Sequence, residues 1–297
     1  MGFISDMQRR FQEGDLLTRL LFVNIGVFLL VRVADILLML FNGSIETWLR
    51  YVEFPSSPTR FLLQPWSILT YMFLHYDVLH VLFNMLWLYW FGQMFLRHFD
   101  ARKLFGVYLA GGIFGAIFFM LIYNIFPYYA PMAEYSYMLG ASASVMAVVF
   151  GVSFYAKEEE VMLFLIGRIK IFYLALFVLV LDLLSITSTN AGGHLAHIGG
   201  ALFGIWFASR MRAGKDITQA LNRIVDKIAN LFKPQYKPKM KVTYTRPETD
   251  YDYNARKQRE NAEIDAILDK LKRARATKVS PRTRRSNCLT PAKSKKR

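Results

Sequence analysis

Three short polar segments interrupt otherwise apolar stretches of this chain. They are His80–Asn84, Gly140–Ser144 and Ala196–Gly200. Each places a hydrogen-bonding side chain where a bilayer would surround it, and a polar group in hydrocarbon is costly unless it is hydrogen-bonded. Side chains of this kind usually face a protein-lined cavity. A nucleophile, a base and a set of donors in such a cavity predict hydrolysis inside a membrane.

Ser142 is the candidate nucleophile, although a serine in a membrane helix more commonly serves only packing. The segment Tyr135–Gly140 is typical of a loop, so Ser142 falls near the amino end of the next helix. There the backbone N–H groups lack intrahelical partners and the helix dipole is positive, which favours a developing oxyanion. Ser144 lies about 200° further around the helix, so only one serine can face a base. We expect Ser144 to bond back to a carbonyl one turn earlier.

His197 is the candidate base, although a buried histidine is commonly a structural residue. Gly200 and Gly204 follow His197 on roughly the same helical face. These glycines give a smooth surface against which the helix of Ser142 can pack, helped by the small Ala147. Such packing would bring His197 within reach of Ser142.

Two further polar residues, His80 and Asn84, are four positions apart and project from one side of a helix. They could either donate hydrogen bonds to a negatively charged oxygen or form a structural polar cluster. The sequence places no acidic residue beside His197, and Asp77 and Asp182 are candidates only by residue type. A two-residue Ser–His device is therefore the simpler hypothesis.

The elements that must position these residues are predicted to be transmembrane helices. Of 297 residues, 54% are hydrophobic, and about 20 apolar residues span ~30 Å of hydrocarbon. We predict an all-α polytopic membrane protein, a bundle of six transmembrane helices with a cytoplasmic tail. The predicted spans lie at about residues 18–40, 78–98, 103–126, 138–156, 168–187 and 193–211.

Basic residues predict the orientation of this bundle. They precede the first predicted span, follow the sixth, and occupy the connections between the second and third and between the fourth and fifth. Residues 127–137 contain no lysine or arginine. The positive-inside rule then places both termini in the cytoplasm, as in a bacterial inner membrane.

Four regions are expected along the chain. Residues 1–15 form a cytoplasmic segment and residues 16–212 the membrane core. Residues 213–272 form a helical tail, with an amphipathic pattern over Ile217–Leu231, a Pro-rich link, and a second helical pattern over Ala255–Lys272 that has one apolar stripe. Residues 273–297 form a disordered basic end with ten lysines and arginines and no acid. A basic segment beside a membrane favours anionic lipid over nucleic acid as its partner.

On these residues the chain resembles the rhomboid intramembrane serine proteases, over about residues 15–212. The HxxxN string of that family appears as His80–Asn84, its GxSx string as Gly140–Ala143, and its AHxxGxxxG string as Ala196–Gly204. The commonest form of the second string has glycine where this chain has Ala143. The segments Tyr253–Lys257 and Ile264–Lys272 of the tail resemble rhomboids of the Bacteroidetes type.

The resemblance implies a role for each site residue. Ser142 would be the nucleophile and His197 the base, while His80, Asn84 and the Ser142 N–H would form the oxyanion hole. Gly140, Gly200 and Gly204 would support helix packing. The implied substrates are transmembrane helices of other proteins, cut near the outer face at small residues without a metal or cofactor.

Two other functions stay open at this point. A rhomboid-like protein could bind membrane clients without cutting them, although such relatives typically lose the serine or the histidine. A membrane metal-binding protein could use the four histidines near these strings, which are His75, His80, His194 and His197. Against a metal centre, HExxH is absent, and we expect no carboxylate or thiolate set in the bundle interior.

Overall fold

The computed structural model describes residues 15–163, 167–188, 190–232 and 249–278. The chain divides into two units, residues 1–233 and 234–297, and each is described by itself. The elements of the first unit are, in order, α1 Leu16–Leu40, α2 Glu46–Leu49, β1 Phe54–Pro55, α3 Pro58–Leu63, α4 Ser67–Thr70, α5 Val78–His98, α6 Ala101–Ile125, β2 Tyr137–Met138, α7 Ser142–Tyr155, β3 Glu160–Leu163, β4 Gly167–Lys170, α8 Ile171–Leu184, α9 Ala191–Arg212 and α10 Gln219–Phe232.

Most of the described chain is helical, and each of the six predicted spans overlaps one helix. In order these helices are α1, α5, α6, α7, α8 and α9. Within the described residues, length and composition qualify α1, α5 and α6 to cross a bilayer, whereas α7 and α8 are apolar helices of only 14 residues each. Large apolar side chains of α1 are exposed, such as Leu30 at 72% and Leu40 at 68%, which is typical of a lipid-facing helix.

The described chain is mostly helical, as the all-α prediction requires, and two short antiparallel strand pairs are present in addition. Strand β1 pairs with β2, opposing Phe54 to Met138. Strands β3 and β4 form a hairpin that opposes Glu160 to Lys170. These pairs occupy the beginnings of the predicted fourth and fifth spans, so α7 and α8 begin three or four residues later than expected. Strands of two to four residues are too short for a detectable alternating pattern.

Helix α7 forms the centre of the bundle. Every residue from Ala143 to Ser153 is buried, and α6 and α9 pack on it most closely. A Cβ added at Gly200 of α9 would lie 2.1 Å from the Ala143 carbonyl oxygen, and one at Gly111 of α6 would lie 2.1 Å from the Ala147 Cβ. Glycine at these positions therefore lets the helices approach each other at backbone distance, as is typical of helix packing in lipid.

Three basic side chains, those of Arg97, Arg102 and Arg212, lie at one end of this bundle, which we call the basic end. Arg97 contacts Glu159 at 2.6 Å, Arg102 contacts Asp226 at 3.3 Å, and Arg212 donates to the Phe154 carbonyl. At the opposite end, the loops after α1 and α6 are joined by the β1–β2 pair. This opposite end also carries basic side chains, such as Arg60, which contacts Glu134 at 3.3 Å.

The helix α10 covers the predicted amphipathic segment of the tail. Thr218, just before it, is fully buried, and a Cβ at Gly106 of α6 would lie 2.6 Å from the Thr218 Cβ. The apolar residues Ile224, Ile228 and Leu231 are exposed. This segment therefore anchors on α6 at its beginning and presents apolar side chains further along.

The second unit contains one described helix, α11 (Asp250–Lys278). It is longer than the predicted helix of residues 255–272 and includes the first six residues of the segment expected to be disordered. Its predicted apolar stripe is exposed, with Leu271 at 60%. The Pro-rich link at residues 234–247 and the basic residues 279–297 lie outside the described residues, so contact of this basic end with lipid stays a prediction.

The close approach of α7 and α9 predicts a clear cost for adding one methyl group. Gly200→Ala should lower the stability of the detergent-solubilised protein by about 1–3 kcal/mol, because the backbone of α7 must move. Gly26→Ala is the matched control, since nothing lies within 4 Å of a Cβ there; it should be neutral or stabilise by up to about 1 kcal/mol. Thermal unfolding checks both variants, and equal melting temperatures would contradict this packing.

Candidate active site

A cavity of about 1180 Å³ opens at the end of the bundle opposite the basic end, and it collects the predicted site residues. Helices α5, α7, α8 and α9 and the loop before α7 form its wall. The polar side chains among its lining residues include those of Asp77, His80, Asn84, Ser142, Asp182, His194 and His197. The three polar strings, far apart in sequence, thus meet in one place.

The loop before α7 is held in an unusual conformation at Gly140. Its φ of +125° is one that side-chain-bearing residues rarely adopt. The Gly140 N–H donates to the Tyr71 carbonyl at 2.9 Å, and a Cβ on Gly140 would lie 2.8 Å from the His80 Cε1. Gly140 therefore permits both the turn that begins α7 and the close approach of the His80 ring.

The two serines of α7 have different surroundings. Ser142 is half-buried, is the first residue of α7 and lines the cavity. Ser144 is fully buried, and its hydroxyl donates to the Met72 Sδ at 3.8 Å. The expected bond from Ser144 to a carbonyl one turn earlier is thus replaced by a contact with the segment before α5. Among the two, Ser142 is the one that a molecule in the cavity can reach.

The side chains of His80 and Asn84 border the cavity with Ser142, and His75 packs behind His80. Asn84 Nδ2 donates to the His80 carbonyl at 2.9 Å, so the amide is oriented by its own helix. His80 packs edge-on against His75, with ring centroids 5.1 Å apart. The Ala141 N–H donates to His75 Nε2 at 3.4 Å. His75, considered above only as a possible metal ligand, is 1% exposed and supports the loop that begins α7.

The sequence did not place an acid beside His197, but the structure does. Asp182 of α8 is buried, and its Oδ1 lies 2.9 Å from His197 Nδ1. The same oxygen lies 2.8 Å from His194 Nδ1. The one available signal was an acidic residue inside an apolar run, which normally has a polar partner on a neighbouring helix. Spacing could not identify that partner because it lies on another helix.

A metal centre is a second explanation for the cluster of Asp182, His194 and His197, because their ligand atoms lie within 4.8 Å of one another. The sequence predicted no carboxylate or thiolate set in the bundle interior, but the structure places one carboxylate, that of Asp182, beside two histidines. The separations of 2.8 Å and 2.9 Å are hydrogen-bond distances. Ligand atoms of tetrahedral zinc are about 3.3–3.5 Å apart, given metal–ligand distances near 2.0–2.1 Å. This geometry fits two hydrogen bonds to one carboxylate oxygen better than a metal ion.

Comparison with known proteins identifies the family of this chain. The sequence model of the Rhomboid domain matches residues 62–213, which is half of the chain. The chain belongs to the rhomboid family.

Similar proteins include both mitochondrial and bacterial ones. RHOMBOID-like protein 12, mitochondrial, of Arabidopsis thaliana is 27% identical over 212 residues, 68% of this chain and 60% of that protein. Presenilin-associated rhomboid-like protein, mitochondrial, of Homo sapiens is 29% identical over 220 residues, 69% of this chain and 49% of that protein. Rhomboid protease GlpG of Photorhabdus laumondii is 27% identical over 103 residues, 35% and 33% of the two chains. The chain thus spans 60% or less of the length of these relatives.

Proposed function

We propose that this chain is an intramembrane serine endopeptidase that cuts transmembrane helices of other proteins. The observation that carries this proposal is one cavity lined by Ser142 at the amino end of α7 and by His197, His80 and Asn84 on the helices around it. These residue types provide a nucleophile, a base and hydrogen-bond donors. The name of one relative, a rhomboid protease, agrees with this activity.

The proposed reaction is acyl transfer to serine followed by hydrolysis. The Ser142 oxygen attacks the carbonyl carbon of the scissile peptide bond, while His197 accepts the hydroxyl proton and then gives it to the leaving amine. Water, deprotonated by His197, releases the second product and restores the Ser142 hydroxyl. Each cycle consumes one water and needs no metal or cofactor.

The oxyanion formed in this reaction needs donors, and the amino end of α7 supplies one. The first N–H groups of a helix have no intrahelical acceptor, so the Ser142 N–H can point at a ligand. His80 and Asn84 line the same cavity. The Asn84 Nδ2 carries two N–H bonds, of which one donates to the His80 carbonyl. The other can donate to the oxyanion.

The substrate of this site must reach it from an apolar environment. Exposed apolar residues of α5, such as Leu79 and Phe83, line the cavity, and so do Val178 and Leu181 of α8. A segment of a membrane helix presents a compatible surface once its backbone locally unwinds to expose a peptide bond. Small residues at the cut would limit steric conflict with the loop before α7.

The proposed topology has six crossings, with α1, α5, α6, α7, α8 and α9 in the bilayer. The 14-residue helices α7 and α8 fit this proposal because their ends are extended by strands or loops. The basic end of the bundle faces the cytoplasm, as in a bacterial inner membrane. The site then opens toward the outer face.

The rival function is client binding without cleavage. A binding protein would need the cavity but no reactive serine. The presence of Ser142 and His197 in one cavity favours catalysis. Reaction of Ser142 with a fluorophosphonate probe separates the two functions, because the probe phosphonylates only an activated serine.

The different surroundings of the two serines of α7 predict opposite mutational effects. Ser142→Ala should abolish both fluorophosphonate labelling and cleavage of a reconstituted transmembrane substrate. Ser144→Ala is the matched control and should retain most of both, because its hydroxyl contacts Met72 away from the cavity. Labelling is read by site mapping and cleavage by gel. The reverse pattern would show that the nucleophile is assigned to the wrong serine.

Removal of a single proposed oxyanion donor should slow the chemical step. His80→Ala and Asn84→Ala should each lower kcat. Loss of one donor from a well-organised oxyanion hole lowers kcat by about 10²–10³-fold. We expect a loss at the lower end of this range, because the cavity is open. KM and the melting temperature should change little. Wild-type kcat in both single variants and in the double variant would exclude these side chains from the reaction.

A further inference from the structure

We propose that Asp182 is a positioning residue that orients the imidazole of His197 for its role as base. The inference rests on the proposed function and deepens it, because it adds an acid to the two-residue Ser–His device. Asp182 acts through His197 and does not touch the substrate.

The hydrogen bond fixes which nitrogen of His197 can act. Asp182 Oδ1 lies 2.9 Å from His197 Nδ1. A carboxylate accepts hydrogen bonds, so Nδ1 keeps its proton and donates a hydrogen bond to Oδ1. In the neutral imidazole the other nitrogen, Nε2, is then the unprotonated one and is available to accept the Ser142 proton.

Burial of the Asp182 carboxylate explains why it needs the hydrogen bonds from the histidines. The side chain of Asp182 is 7% exposed, and a buried carboxylate is costly unless donors compensate it. In the described part of the chain, the two imidazoles of α9 supply these donors at Oδ1, while Oδ2 has no hydrogen-bond partner. A leucine at this position would avoid the cost of a buried charge. The carboxylate is therefore best explained by the histidines that it holds.

His194 contributes to the same arrangement by fixing the carboxylate. Its Nδ1 lies 2.8 Å from the oxygen that His197 also contacts. The two rings are edge-to-face, with centroids 5.8 Å apart. Two donors from consecutive turns of α9 thus converge on one oxygen of α8, which restricts the rotation of the Asp182 side chain.

Because Asp182 lies on α8, the orientation of His197 depends on the packing of α8 against α9. Only three residues of this helix are buried, Ile171, Ala175 and Asp182. Asp182 is the one nearest the carboxyl end, where α8 borders the cavity. The orientation of His197 on α9 therefore depends on α8 remaining packed against that helix.

The proposed role has a defined place in the proton transfers. When Ser142 attacks, its proton passes to His197 Nε2, and both ring nitrogens then carry protons. Asp182 stabilises the resulting imidazolium and stays ionised. When the proton passes on to the leaving amine, His197 returns to the neutral form with Nδ1 still bound to Asp182.

The test compares the same substitution, aspartate to asparagine, at Asp182 and at a position away from the cavity. Asp182→Asn should lower kcat by about 10- to 100-fold, less than the roughly 10⁴-fold loss in a serine protease triad, since this site is more open. Its rate of fluorophosphonate labelling should fall in parallel, while KM and the melting temperature stay near wild type. Asp226→Asn is the control, because Asp226 pairs with Arg102 away from the cavity, and it should keep wild-type kcat.

The possible outcomes separate this inference from the proposed function. If Ser142→Ala abolishes cleavage while Asp182→Asn keeps wild-type kcat and labelling rate, the role of Asp182 is overturned and the protease function stands. If Ser142→Ala still cleaves, the proposed function itself fails. A fall in melting temperature with unchanged kcat would assign Asp182 a purely structural role and overturn the inference.

A measurement on the unmutated protein covers the case in which Asp182→Asn does not fold. The ring nitrogens of His197 can be distinguished by ¹⁵N NMR of the histidine-labelled protein, with His197→Gln for assignment. We expect the neutral ring to carry its proton on Nδ1. A neutral ring protonated on Nε2 would overturn the inference, because that nitrogen could not then accept a proton.

Discussion

The structure depends on the close approach of α6 and α9 to the central helix α7. Glycines at positions 111 and 200 bring backbones to distances that exclude even a methyl group. In a bilayer, apolar side chains gain little by leaving lipid, so such close packing must stabilise the association of helices. This packing fixes the position of Ser142 at the end of α7, and it places the amino-terminal part of α9, with His197, beside the same cavity.

A second constraint arises from polar groups in an apolar bundle. Two contacts of the site show this constraint: Asp182 Oδ1 is held by two histidines, and the Ala141 N–H donates to His75 Nε2. These bonds cross between helices or join a helix to a loop. They therefore orient the cavity wall as well as lower the cost of burial. The chemistry proposed for the site uses the same groups that hold the site together.

Local patterns predicted much of this arrangement. The apolar runs predicted the long helices in the right order, and the strings around His80, Ser142 and His197 predicted residues that do line one cavity. A helical period was enough to separate Ser142 from Ser144, because the two serines point in different directions around α7. These features depend on neighbours in the sequence or on a helical repeat, which a sequence displays directly.

The features that the sequence did not predict depend on contacts between distant segments. Asp182 reaches His197 from another helix, and His75 reaches the loop at Ala141 across 66 positions. The β1–β2 pair joins the loops after α1 and α6 through only two residues of each. No periodicity marks such contacts. The first residues of α7 and α8 were predicted three or four positions too early, because β2 and β4 occupy the predicted starts.

The most direct test of the account is an experimental structure of the protein after reaction with a fluorophosphonate. The account predicts phosphorus bonded to the Ser142 oxygen and a phosphoryl oxygen about 3 Å from the Ser142 N–H and from the side chain of His80 or Asn84. His197 should lie beside the adduct with Nδ1 on Asp182. An adduct on Ser144 or on another residue, or a phosphoryl oxygen directed away from these donors, would contradict the account.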